Sequence, residues 1–386
     1  MRLAQPRARI AALSCVALLA AAPAARSQLP YGDGASGLHA APAELPGGLA
    51  LVWRLNGRKL GRDDISAGSL NAFSPDGRYV GVYEATRVRI VDSRTGTVVR
   101  TIPQDASNFP VFAFAISPQG QAAVGRSGGV EVFGAGPGNA SVRYPYLGSC
   151  GVLTAVAFSA DGALLAYQGV QGLTERREGR GSVGVIDMRT GAPLGRAEAT
   201  AGLAQVAFSR DGRRLTAMHA TQIADTEAFG IRVWDTKGLR LTRSFYGGRR
   251  MPRTVGALAG AQHAAVYQNQ GRLEVRDLAN DRLLWSAALI APKLGALVGM
   301  QRKMNLDLVE IAPDGRFLVT YEAPVDYDPT GRLVGTLCVR NGANGAVIAM
   351  YDVARVSDLA IAPDGKTFVY TTGSGQTYTA VARVPF

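Results

Sequence analysis

Short apolar runs separated by turn-forming residues recur along most of this chain. Ala155-Val156-Ala157-Phe158 is followed by Ser159-Ala160-Asp161-Gly162-Ala163 and then by Leu164-Leu165-Ala166-Tyr167. Runs of this length, bounded by Gly, Pro, Asp and Ser, predict β-strands joined by tight turns. No stretch of useful length carries a helical period. The turn segment itself repeats. Phe73-Ser74-Pro75-Asp76-Gly77-Arg78 returns as Ile116-Ser117-Pro118-Gln119-Gly120-Gln121 and as Phe158-Ser159-Ala160-Asp161-Gly162-Ala163. It returns again as Phe208-Ser209-Arg210-Asp211-Gly212-Arg213, Ile311-Ala312-Pro313-Asp314-Gly315-Arg316 and Ile361-Ala362-Pro363-Asp364-Gly365-Lys366. A degenerate copy is Leu258-Ala259-Gly260-Ala261-Gln262. The steps are roughly 40 to 55 residues, a repeat architecture.

Pro suits the first central position of a type I turn and Asp tolerates the second. Gly then accepts the positive φ that lets a hairpin continue. These Asp residues are therefore expected to form turns, not to act as acids. A second motif follows each hairpin: Val91-Asp92-Ser93-Arg94-Thr95-Gly96, Ile186-Asp187-Met188-Arg189-Thr190-Gly191 and Trp234-Asp235-Thr236-Lys237-Gly238. It continues as Arg276-Asp277-Leu278-Ala279-Asn280 and Arg340-Asn341-Gly342-Ala343-Asn344-Gly345. An Asp or Asn there can bond the backbone two residues on, an Asx-turn. Each unit thus holds four strands.

Four strands per unit and about seven units predict an all-β, seven-bladed β-propeller of four-stranded antiparallel blades over residues 49–386. The blades are expected at about 69–102, 109–148, 152–198, 202–245, 254–289, 306–352 and 356–384. The last is one strand short. Leu49 to Leu60, with a turn at Asn56-Gly57, reads as a strand and is expected to close the ring beside Thr377 to Val384. Ile231-Arg232-Val233-Trp234-Asp235 resembles the signature of WD40 repeats, and the Ser-Pro-Asp-Gly turns resemble those of exported bacterial WD40-like propellers. The Gly-His dipeptide of true WD40 repeats is missing, since His39, His219 and His263 are the only histidines. The resemblance covers Leu49 to Phe386 and implies a fold, not a function.

The first 27 residues follow a different pattern. Arg2, Arg7 and Arg9 precede a 13-residue apolar run, Ile10 to Ala22, broken only by Ser14 and followed by Pro23, Ala24, Ala25, Arg26 and Ser27. This is the layout of a secretory signal peptide, too short for a membrane-spanning helix of about 20 residues. Residues 28–48 are expected to be a flexible leader. The location is expected to be periplasmic or secreted, with no membrane span after cleavage. Of 42 basic residues four leave with residues 1–27, so 38 face 30 acids, a mature charge of +8. Nucleic acid is not an expected partner of an exported chain. Another envelope or extracellular protein, or an anionic ligand, is. Cys150 and Cys338 remain, on blade three near the axis and on an outer strand of blade six, and are expected not to pair.

Candidate binding residues gather in two kinds of connection that emerge on one face of a propeller. Between second and third strands lie Arg176, Arg177 and Arg180 in blade three, Asp225 and Glu227 in blade four, and Asp326 and Asp328 in blade six. Between blades lie Arg249, Arg250, Arg253, Arg302 and Lys303. Insertions concentrated on one face mark a binding face. No metalloprotease, redox, nucleophile-elbow or phosphate-loop motif is present in the sequence. Asp326-Tyr327-Asp328 lacks the ligand count of a calcium loop, and no cofactor or metal is expected. The expectation is a non-enzymatic binding scaffold; the alternative is a secreted lactonase- or hydrolase-like propeller enzyme with its site at the channel mouth, built on carboxylates or on His219 with Asp225 or Glu227. The exported protein is predicted to begin near Gln28, unlipidated; N-terminal sequencing that found Met1, or acyl mass on Cys15, would overturn this.

Overall fold

The structure is a computed structural model. It describes residues 50–384 apart from 60–69, 85–86, 104–110, 112, 127, 135–139, 146–150, 172–179, 201–204, 224–225, 247–251, 259–260, 278, 292–303, 325–333 and 373–375. Its 28 strands form seven four-stranded antiparallel sheets. In six of them spatial order equals chain order, and these blades span 70–103, 113–145, 151–200, 206–246, 254–288 and 304–354. First strands lie beside first strands of the next blade, so they line the axis and the fourth strands form the rim. The seventh blade takes Val356–Ile361, Thr367–Thr372 and Gln376–Arg383 from the C-terminus, and its rim strand is Ala50–Lys59. Leu51 pairs with Ala382 and Lys59 with Gln376 in this closing ladder.

Both turn motifs take the geometry their residues dictate. In the Ser74-Pro75-Asp76-Gly77 turn the Gly77 N–H donates to Ser74 O at 2.8 Å, and Gly77 has φ 75°. The Ser74 hydroxyl donates to Asp76 Oδ1 at 2.6 Å and accepts the Tyr79 N–H at 2.9 Å. In the second motif Asp92 accepts the Arg94 N–H at 3.0 Å, Asp187 that of Arg189 at 2.8 Å, and Asn341 that of Ala343 at 2.8 Å. A side-chain bond ties the two turns within a blade: Ser93 Oγ donates to Gly77 O at 2.6 Å. The degenerate copy at 258–262 is a tighter hairpin, with Leu258 opposite Ala261.

The core is not central. Seven clusters of buried side chains each span two neighbouring blades. Second strands are covered on both faces, as in Phe317–Pro324, where every residue is buried. That is why they read as continuous apolar runs while the rim strands alternate. Blades approach closely enough that a Cβ on Gly81 would lie 2.2 Å from the Ile116 side chain of the next blade.

At the closure Trp53 and Leu55 are buried with Val80, Val82 and Val91 of blade one and Val369 and Val381 of blade seven. The Trp53 indole N–H donates to Ser93 O at 2.7 Å, binding the rim of blade seven to a turn of blade one. Trp285 repeats this between blades five and six, donating to Gly342 O at 2.9 Å. Burying such a ring contributes about 1.5–3 kcal/mol, and removing it costs about 3–5 kcal/mol. A chain beginning at Gly48 should therefore melt like one beginning at Gln28. One beginning at Asp63 should lose most of a domain's usual 5–15 kcal/mol, roughly, and Trp53→Ala should fall between. Equal melting of the two truncations would refute this role for the N-terminal strand.

Candidate functional site

The acids of the turn face are committed to structure. Ser159 Oγ and then the Ala163 N–H hold Asp161 below the ordinary carboxylate range, and Ser209 and the Arg213 N–H do the same for Asp211. Their oxygens are occupied by turn donors, so they cannot shuttle protons near neutrality.

The axis is different. Glu310 lies on the first strand of blade six (Met304–Ile311) and Asp358 on that of blade seven (Val356–Ile361). Asp358 accepts the backbone N–H of Asn71, on the first strand of blade one. Asn71 Nδ2 donates to Thr371 Oγ1 at 2.9 Å, and Thr371 shares a bond with Thr379 at 2.9 Å. Burial pushes the Asp358 carboxyl up to about 7, the Asn71 and Leu359 donors only partly opposing it. Burial, and then the Asp358 charge, pushes Glu310 up to about 8. Both residues are half-buried, on first strands that lie next to one another around the axis. The pair can hold a proton near neutral pH, which is what a general acid or base requires.

Nearer the loop-face mouth, Asp307 is the bulged residue between Leu306 and Leu308. Burial raises its carboxyl, opposed by the Asn305 amide and the Arg253 and Arg355 charges. Arg253 is exposed, and its Nη2 donates to Gln268 Oε1 at 3.1 Å. No group of three or more His, Cys, Asp or Glu able to hold a metal is found among the described residues.

Of the residues expected from the sequence, Arg253 is the one whose side chain is described; it joins the mouth set with Asp307. Arg180 opens the third strand of blade three opposite Gln171, and Glu227 lies on a strand opposite Gln222. Arg176, Arg177, Asp225, Arg249, Arg250, Arg302, Lys303, Asp326 and Asp328 lie outside the described residues. The blade-four connection, expected to hold Glu227 as a loop residue, is instead largely two paired strands, Arg214–Ile223 and Thr226–Asp235. Thr, Ile and Phe at 221, 223 and 229 favour strands, and no Pro interrupts them.

Glu322, just before the blade-six connection, is fully buried in a strand. Its carboxylate is bridged by Arg340 Nε and Nη2 at 2.8 and 2.9 Å and by the Thr320 hydroxyl at 2.6 Å. Arg340 Nη2 also donates to Ala288 O of blade five at 2.9 Å, so the pair joins two blades. Cys338 is a free buried thiol on the third strand from the axis, not the outermost one, pushed up by burial and by Glu322. Cys150 lies outside the described residues.

Glu310, Asp358 and Asn71 were missed by sequence reasoning. A signal existed: the residue two before the turn Ser or Ala is Ala72, Ala115, Ala157, Ala207 and Ala360 in five copies and Glu310 in the sixth. No family model matches this chain, and no curated protein matches it.

A carboxyl whose folded pKa lies above its ordinary value of about 4 binds more protons folded than unfolded. Stability from Glu310 and Asp358 is therefore greatest in acid and falls as pH rises through about 7 and about 8. The melting temperature should drop between about pH 5 and pH 9. Glu310→Gln should flatten that drop, gaining stability at the alkaline end alone; an unchanged slope would show that Glu310 does not titrate there.

Proposed function

We propose that this chain is an exported WD40-like β-propeller acting as a non-enzymatic scaffold that binds another envelope or extracellular protein on its loop face. The observation that carries this reading is the uneven height of that face. Second and third strands start in equivalent registers at the turn face, Tyr79 opposite Asp92 and Arg214 opposite Asp235. Blade one's second strand is six residues long and blade four's is ten. Four extra residues at about 3.3 Å each raise the blade-four hairpin by about 13 Å. A hairpin standing above a rigid ring is a recognition element, because it is displayed without weakening the blades beneath. Export is supported by the Arg-flanked apolar run of residues 10–22.

A second reading, an exported hydrolase- or lactonase-like enzyme, is favoured by one observation, the raised Glu310–Asp358 pair at the axis. Two variants separate the readings. The first replaces residues 220–229 by a two-residue Asn-Gly turn, and the second is Glu310→Gln. Cross-linked capture from the protein's own cell envelope should lose its principal partner in the hairpin variant and keep it in Glu310→Gln, with melting of the ring unchanged in the first. Capture unaffected by the hairpin, together with lactone or ester turnover abolished by Glu310→Gln, would replace the scaffold reading with the enzyme one.

A further inference from the structure

The turn-face rim carries a feature that the loop-face reading does not use. The exposed large apolar residues among those described are Val98, Val99, Leu194, Leu241, Leu283 and Val347. All stand at the beginning of a rim strand, in blades one, three, four, five and six. Each lies at or beside the point where pairing with the third strand slips by one residue: Val99 and Leu194 are the residues skipped, whereas Val98, Leu241, Leu283 and Val347 pair with Val91, Trp234, Arg276 and Arg340. The slip is a β-bulge, which turns a side chain off the ladder. Val98, Leu241, Leu283 and Val347 share one register position, opposite the residue before the Asp or Asn of the second turn motif, and Val99 and Leu194 follow it by one residue.

Cations accompany these positions most densely at blade four. Arg210, Arg213, Arg214, Lys237, Arg240 and Arg243 are all exposed. None of the six makes an ion pair among the described residues. The two acids between them, Asp211 and Asp235, accept backbone N–H groups of their own turns. Arg214 and Arg240 face Asp235 from either side in the ladder, and Leu241, 49% exposed, follows directly. On the flanking blades the same unit recurs: Leu194 with Arg196, and Arg282 with Leu283.

We propose that this rim, centred on blade four, docks the protein on an anionic lipid bilayer. Alternating bases and single apolar side chains are the composition of an interfacial segment, the bases drawn to headgroups and the apolar groups entering the acyl boundary. The apolar residues number one or two per blade over five blades. That is too dispersed for the contiguous buried centre of a protein–protein interface, but a flat bilayer meets several blades at once. The mature charge of +8 acts in the same sense. Docking by this face leaves the blade-four hairpin pointing away from the lipid, free for a protein partner.

The test is vesicle sedimentation of the mature chain beginning at Gln28. It should bind phosphatidylglycerol–phosphatidylcholine vesicles in a salt-sensitive manner and not phosphatidylcholine alone. Inorganic phosphate at matched ionic strength should not compete, which separates a bilayer from a phosphate pocket. The triple variant Arg210→Glu, Arg213→Glu, Arg240→Glu should bind at least tenfold more weakly, and Leu241→Ser should weaken binding without altering its salt dependence. A Leu241→Trp reporter should shift its emission to the blue on anionic vesicles. All of these positions are exposed, so melting should be unchanged. No binding to anionic vesicles, binding indifferent to both variants, or an unshifted reporter would overturn the proposal; a protein captured through this rim in place of lipid would do the same. The loop-face reading stands or falls separately, since its hairpin variant leaves every residue of this rim in place.

Discussion

Everything in this molecule depends on a blade having two apolar faces. A four-stranded sheet with both faces apolar cannot be stable alone in water. Each blade must be covered on both sides, and a ring is the arrangement in which every blade gains two neighbours and none is left at an end. The seven clusters of buried side chains are therefore equivalent in kind, one at each junction. The junction between blades seven and one differs in drawing Trp53 and Leu55 from a strand far in sequence from the rest of its blade.

Apolar faces do not by themselves fix how one blade sits against the next. Directional bonds do this. Gln168 Nε2 reaches Met218 O across blades three and four at 3.1 Å, and Gln205 Nε2 reaches Thr254 Oγ1 across four and five at 2.9 Å. Gln268 Oε1 accepts the Leu306 N–H across five and six at 3.1 Å. Each pairs a polar group that would be costly to bury alone, so sliding a blade leaves donors and acceptors unmatched. The Glu322–Arg340 pair is the extreme case: both charges are out of water, and every arm of the guanidinium has an acceptor. Such a pair adds little net stability but makes the wrong packing expensive.

The fold was legible because its punctuation is local. Ser74-Pro75-Asp76-Gly77 forms its turn from its own four residues, and the Asx-turn at Asp92 from three, so repetition of these words marked the strands between them. The closing strand was legible by subtraction, one blade lacking a strand and one strand lacking a blade. The length of the blade-four hairpin was not legible, because His219 and Glu227 look like loop residues until the ladder continues past them. The axial carboxyls were hidden for a different reason. Glu310 and Asp358 are ordinary acids in sequence, and only the meeting of strands from blades six, seven and one gives them their environment. The loop-face candidates other than Arg253 have no described side chain to weigh.

Closure by Ala50–Lys59 also sets a temporal order. Of the strands of this ring it is the first to be made, and its partner Gln376–Arg383 is the last. Blades one to six can assemble on neighbours already present, each contact local in sequence. The seventh cannot, because its final ladder spans almost the whole chain, and distant pairings form slowly. Until then an open edge waits beside blade one and beside the incomplete last blade, with Trp53 uncovered. The ring is therefore a late-locking clasp: the interval between the arrival of its two ends is when the protein is most exposed to proteases, to chaperones and to pairing with a second copy of itself.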